Sequence, residues 1–181
     1  MPKVLASVPW AQAYFKQACF DFLHSKSVLR QEMLPYSRAI ALALLQQSAE
    51  KALKAGVLRQ EARKGNKNEV GLCHDMWTAL ILKDSAYSVL KDTVIARLVD
   101  DQPLKDLEAF APANEIDRCN TEYPWMEGKE VLVPAEYFHG SKTVNVSSYE
   151  SVARGVILGV LATDMKLERV WEDVKTLVPD L

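Results

Sequence analysis

The adjacent residues His74 and Asp75 carry side chains that could bind a phosphate or exchange a proton. They stand at the predicted start of a helix, where Asp75 offsets the positive end of the helix dipole and backbone N–H groups could hold a phosphate. In the alternative interpretation Asp75 is an ordinary first-turn residue and His74 is packed or hydrogen-bonded. The sequence leaves both open.

A second group of polar residues lies on a segment rich in helix-forming residues. Glu50 and Lys54 are one helical turn apart and share a stripe with Gln46, a spacing that predicts a surface ion pair worth a few tenths of a kcal/mol. Seven cations lie between residues 37 and 69, against three glutamates. They are Arg38, Lys51, Lys54, Arg59, Arg63, Lys64 and Lys67. This local excess predicts either a phosphate-attracting face or, as we expect more often, ordinary charge scatter on a solvated face.

Several classes of site have no support in the sequence. No Glu-x-x-His pair accompanies any of the three histidines, so a di-metal carboxylate centre is disfavoured. The chain also lacks a Gly-x-Ser-x-Gly elbow, a dinucleotide-binding turn and a phosphate loop. Its three cysteines are widely spaced and form no Cys-x-x-Cys pair, which argues against disulfides and structural zinc. We therefore expect no cofactor and no metal.

Helical periodicity dominates the chain of 181 residues. It predicts long helices over residues 10–30, 36–63 and 74–99, the third broken near residues 84–85, and a last helix over 147–177 that starts at a Ser147–Glu150 capping box. Four prolines between residues 102 and 147 predict an irregular insertion, with helical turns near 104–110 and 114–118 and an extended stretch over 131–138. The predicted fold is an all-α, up-and-down bundle of four to five helices in a single domain, 1–181.

Small residues predict where helices of this bundle approach one another. Ala49, Ala52 and Gly56 fall on one stripe of the second helix, and Gly155 and Gly159 are four residues apart on the last one. We expect both stripes to pack within the bundle, although the glycine pair would also suit a dimer interface.

The chain shows neither a secretory signal nor a membrane span. Its longest apolar stretch, residues 155–162, is far shorter than the roughly 20 residues that a transmembrane helix needs. The net charge is -2, so no global basic field exists to attract nucleic acid. We expect a cytoplasmic protein without a membrane partner.

Three short motifs occur in a fixed order. They are Gln46-Gln47-Ser48-Ala49-Glu50-Lys51-Ala52-Leu53-Lys54, then Cys73-His74-Asp75-Met76, then Asn120-Thr121-Glu122-Tyr123-Pro124. In this order they resemble the HEPN family (higher eukaryotes and prokaryotes nucleotide-binding), from the second helix to the last. The resemblance implies a dimeric helical bundle, found mostly in prokaryotes beside a minimal nucleotidyltransferase, in toxin–antitoxin-like pairs that handle nucleotides or RNA.

The resemblance also implies which residues form the site. It places Gln47, Glu50 and Lys54 at a shared groove or dimer interface, and it expects a basic residue where this chain has Glu122. Arg118 could substitute for that residue, and Tyr123 could stack on a base, although a ring beside proline more often packs a loop. The predicted nucleotide-binding residues are Gln47, Glu50, Lys54, His74, Asp75, Arg118, Asn120 and Tyr123.

Many members of the family are metal-independent ribonucleases with a histidine four to six residues after an arginine. That spacing is absent here, because the arginine nearest before His74 is Arg63, eleven positions earlier. The sequence therefore favours a nucleotide-binding or nucleotidyltransferase-associated accessory protein without catalytic residues of its own. The alternatives are a ribonuclease with a noncanonical site around His74, Asp75, Arg118 and Glu50, and a purely structural docking module.

Overall fold

A computed structural model describes residues 3–30, 36–66, 68–82, 86–111, 119, 121, 125–140, 144–164 and 167–177. Its helices are α1 (Val8–Leu29), α2 (Ser37–Arg63), α3 (Met76–Leu82), α4 (Ser88–Ile95), α5 (Gln102–Ala109), α6 (Pro134–Gly140), α7 (Val146–Thr163) and α8 (Glu168–Leu177). Its strands are β1 (Lys3–Leu5), β2 (Glu69–Gly71), β3 (Trp125–Glu127) and β4 (Glu130–Leu132). The strands form two antiparallel pairs, β1 with β2 and β3 with β4. The predicted all-α helical bundle is confirmed.

Helix α2 is the centre of the bundle. It packs along α1 and α7 and also contacts α3, α5 and α6. Every residue from Ala52 to Arg59 is buried, which is possible because most of these side chains are small or apolar. At Gly56 an added Cβ would lie 2.7 Å from a side-chain methyl of Leu90 on α4, so the stripe is closely packed there, by a side chain and not by the backbone of a neighbouring helix.

The glycine pair of α7 packs against α4 and the turn that follows it. A Cβ at Gly159 would lie 2.6 Å from the Cα of Val94, and one at Gly155 would lie 2.9 Å from the carbonyl oxygen of Arg97. The close approach of α7 to α4 thus needs glycine at Gly159, and its approach to the turn after α4 needs glycine at Gly155. The prediction that this pair serves packing within the bundle is confirmed.

Helix α1 begins at Val8, two residues before the start that the helical periodicity predicts. Ser7 is the residue before the helix, in extended conformation, and Pro9 lies in the first turn. The third predicted helix is broken as expected into α3 and α4, and the predicted turn near 104–110 corresponds to α5. Residues 114–118 lie outside the described part of the chain.

The prediction of one continuous last helix is wrong. Helix α7 ends at Thr163, and Asp164 adopts an extended conformation before α8 begins at Glu168. The Asp164 carboxylate is buried against α2, where it forms ion pairs with Arg59 and Arg63. This long-range pairing overrides the local helical pattern.

Two local predictions at helix starts are also wrong. Asn145, and not Ser147, precedes α7, so the Ser147–Glu150 pattern is no capping box. The stretch 131–138 is extended only through Leu132 and then turns into α6, because Pro134 suits the first turn of a helix.

In the described residues, no helix is long and apolar enough to cross a membrane. None of the three cysteines forms a disulfide.

Candidate functional site

Glu50 holds together a buried hydrogen-bond network that joins α2 to the loop before α3. Its Oε2 accepts a hydrogen bond from Gln46 Nε2 at 2.7 Å and another from His74 Nδ1 at 3.1 Å. Its Oε1 accepts one from Lys54 Nζ. Glu50 is 9% exposed and Lys54 5%. The prediction of a surface pair is therefore wrong, since a buried carboxylate and ammonium depend on each other for charge balance.

His74 is the member of this network that faces solvent. Its side chain is 64% exposed, whereas Gln46, Glu50 and Lys54 are buried. A carboxylate can only accept, so Nδ1 carries the proton that is shared with Glu50 and Nε2 is left for a ligand. In the neutral imidazole Nε2 accepts a proton or a hydrogen bond, and in the protonated form it donates one. A fixed, solvent-facing imidazole of this kind can bind a phosphate or act as a general base.

The start of α3 is not a phosphate cradle. The carboxylate of Glu108, on α5, accepts hydrogen bonds from the backbone N–H groups of Trp77 and Thr78 and from the Thr78 hydroxyl. These are the donors that a phosphate would have needed, and α3 begins at Met76 instead of His74. The interpretation of His74 and Asp75 as a helix-end anion site is therefore wrong.

Glu108 thus caps α3, the helix that follows the loop carrying His74. Glu108 is only 7% exposed, and this burial raises the pKa of its carboxyl. Its hydrogen bonds with Trp77 and Thr78 lower the pKa by less, and the nearby negative charge of Asp75 raises it further. Asp101 accepts a hydrogen bond from the Trp77 indole at 3.3 Å, next to the same helix end. Asp75 itself is exposed beside His74.

Gln47 belongs to a neighbouring network that faces α1. It accepts a hydrogen bond from Lys51 Nζ at 3.1 Å, and Lys51 also forms a 2.6 Å ion pair with Asp21. The structure thus brings Glu50, Lys54 and His74 together and adds Gln46, which the sequence placed on the same stripe but not among the site residues. The remaining predicted site residues, Arg118, Asn120 and Tyr123, lie outside the described residues.

The basic stretch of α2 does not form an open cationic face. Within the described residues, most of its cations are paired with a carboxylate on their own or another element. The pairs are Lys51 with Asp21, Lys54 with Glu50, Arg59 and Arg63 with Asp164, and Lys64 with Glu61. Arg38 donates to the carbonyl oxygen of Val144 at 2.8 Å. The cations of this stretch are therefore engaged in ion pairs, some within α2 and some that connect α2 to α1 and to Asp164 after α7.

The part of the chain that the structure describes contains no group of three acidic, histidine or cysteine side chains that could hold a metal ion. No protein-family model, curated protein or solved structure matches the chain. The resemblance to the HEPN family thus rests on the three sequence motifs alone.

Proposed function

We propose that the chain is a HEPN-like bundle that binds a nucleotide, free or within RNA, at His74. The observation that carries this proposal is the exposed imidazole held through Nδ1 by the buried Glu50 carboxylate. The resemblance to the HEPN family supplies the class of ligand, since that family is linked to nucleotides and RNA.

The charge of the network favours an anionic group at His74. Lys54 balances Glu50, so the buried part of the network is neutral overall. Protonation of His74 would add a positive charge at the surface, next to the exposed carboxylate of Asp75, and would make Nε2–H a donor on the side of the ring away from Glu50. Hydrogen bonds from a protonated imidazole to a phosphate oxygen are stronger than neutral ones. The phosphate of a nucleotide is therefore the group that we place against Nε2.

A thermal-shift screen with ATP, GTP, their monophosphates and short RNA tests the proposal. A ligand at 100 times its Kd should stabilise the chain by about 2.7 kcal/mol. In a domain of this size that raises Tm by about 5–11 °C. We expect His74→Ala to abolish the shift. His24→Ala is the matched control, because His24 is an exposed histidine on α1 and should leave the shift intact.

Either of two results contradicts the proposal. The first is no stabilisation of the native chain by any of these ligands. The second is an equal loss of stabilisation in His74→Ala and His24→Ala, which would point to non-specific binding.

The biological setting that we propose follows from the resemblance. The chain would act in the cytoplasm as a homodimer and as the accessory partner of a minimal nucleotidyltransferase. Light scattering on the purified chain distinguishes a dimer from a monomer of 20.3 kDa. A reading frame for a small nucleotidyltransferase beside this one, whose product copurifies with the chain, would support the partner.

The Glu50–His74 pair also favours a second candidate function, metal-independent cleavage of RNA. With Nδ1 protonated toward Glu50, the Nε2 lone pair can take the proton of a ribose 2′-hydroxyl as its oxygen attacks the adjacent phosphorus. The 5′ oxygen then leaves and takes a proton from water. Cleavage of single-stranded RNA in the presence of EDTA, lost in His74→Ala and retained in His24→Ala, would establish this activity. RNA that binds but stays intact would leave the binding function alone.

A further inference from the structure

A small cavity lies next to the Glu50–His74 network. It has a volume of about 220 Å³ and is mostly apolar. Its walls come from α2, β2, the loop before α3, α3 itself and the residue before α4. Among the lining side chains are Val57, Val70, Cys73, Met76, Ala79 and Tyr87.

The cavity and the network share one face of α2. Val57 lies three residues after Lys54 and seven after Glu50, which places all three on the same stripe, with about 4.5 Å along the axis between Lys54 and Val57. The opposite wall contains Cys73, the residue directly before His74, and Met76, two residues after it. The loop that carries the imidazole is therefore also part of the cavity wall.

The walls suit a flat aromatic ring. Tyr87 provides a ring that is held in place by Lys64, whose Nζ lies 4.9 Å from its centroid and donates to the carbonyl oxygen of Ala86 at 3.0 Å. Two polarisable sulfur atoms, Cys73 Sγ and Met76 Sδ, lie 3.8 Å apart and favour contact with a ring. The volume is below the roughly 300–1,000 Å³ of whole small-molecule sites, so the cavity takes one part of a ligand.

We propose that this cavity binds the base of the nucleotide whose phosphate contacts His74. This inference rests on the proposed function, because it places the second half of the same ligand. The base is held by stacking on the Tyr87 ring and by the exclusion of water by Val57 and Val70. The cavity recognises the base by its flat shape and apolar faces.

Titration calorimetry with two kinds of probe tests the inference. AMP, GMP, CMP and UMP each carry a base and a phosphate, whereas ribose 5-phosphate carries only the phosphate and the sugar. Stacking of a base on an aromatic ring predicts that at least one nucleotide binds about tenfold more tightly than ribose 5-phosphate. Ala79→Leu fills the cavity and should lower the affinity for that nucleotide to the affinity for ribose 5-phosphate. The affinity for ribose 5-phosphate itself should stay unchanged.

Ala43→Leu is the matched control for this experiment. Ala43 is, like Ala79, a half-buried alanine in a helix, and it lies about 21 Å along α2 from Val57. It should leave both affinities unchanged. Where Ala79→Leu lowers Tm enough to prevent the titration, Tyr87→Leu removes the ring wall and must produce the same selective loss.

The outcomes separate this inference from the proposed function. Equal affinities for all nucleotides and ribose 5-phosphate, each lost in His74→Ala, would overturn the base cavity and leave the phosphate site standing. A nucleotide preference that survives both Ala79→Leu and Tyr87→Leu would also overturn it. No binding of any probe would overturn both proposals.

Discussion

Breaking the ion pair between Glu50 and Lys54 should destabilise the chain far more than breaking a surface pair of similar spacing. The two side chains are 9% and 6% exposed, so removal of one partner leaves a charge buried without its counterpart. Such a loss costs about 3–5 kcal/mol. For a domain of this size that corresponds to a fall in Tm of about 6–20 °C. We expect this fall for Glu50→Gln and for Lys54→Met alike.

The double variant Glu50→Gln/Lys54→Met should recover most of this loss. It removes both charges and keeps side chains of similar size, so it should lie within about 1–2 kcal/mol of the native chain. Urea unfolding of the four proteins of this double-mutant cycle measures the coupling. The pair Glu172 and Lys175 on α8 is the control, because both side chains are more than 40% exposed and their coupling should be below about 1 kcal/mol.

Equal coupling energies in the two cycles would refute this reasoning. So would a double variant that is less stable than either single variant, because it would mean that Glu50 and Lys54 stabilise the fold independently of each other.

Three further predictions concern packing, pH and thiol reactivity. Gly159→Ala should lower the free energy of unfolding by about 1–3 kcal/mol in urea titrations, because its Cβ would lie 2.6 Å from the Val94 backbone. Gly71→Ala is the control and should change the free energy of unfolding little, because a Cβ there meets nothing within 4 Å. Burial raises the pKa of Glu108 above its ordinary 4.5, so the folded chain retains this proton where the unfolded chain has lost it. The free energy of unfolding of the native chain, minus that of Glu108→Gln, should therefore fall as the pH rises through the window just above 4.5. A difference that rises with pH would contradict a raised pKa for Glu108. Burial raises the pKa of Cys19 to about 12, so mass spectrometry should find it unlabelled by iodoacetamide at pH 8 until urea is added, whereas rapid labelling of the folded chain would show that the thiol is accessible.

Helix positions and small-residue packing were predictable from the sequence because both depend on local patterns. The α7 pair Gly155 and Gly159 is read directly from its spacing, and it packs closely against α4 and the turn that follows α4, while Gly56 of the α2 stripe packs against the Leu90 side chain. The pattern rich in Gln, Ala and Leu likewise predicts how far α2 runs.

Long-range pairing explains what the sequence missed. The break after α7 depends on Asp164 meeting Arg59, a contact over 105 positions that no local pattern contains. The capping of α3 by Glu108 is a contact of the same kind, since the two residues of α3 that it binds lie 30 and 31 positions away. Spacing places Glu50 and Lys54 together, but only the packing of α2 between other helices decides that the pair is buried.

The central claim is that a nucleotide contacts the His74 imidazole. The direct measurement is a two-dimensional ¹H–¹⁵N NMR spectrum of the histidine rings during titrations with AMP, GMP, CMP and UMP in turn, in which His24 and His139, both exposed, serve as internal controls. We predict a saturable change in the ring nitrogen shifts of His74 and no change at the other two. Unchanged shifts at His74, or the same small change at all three histidines, would contradict the claim.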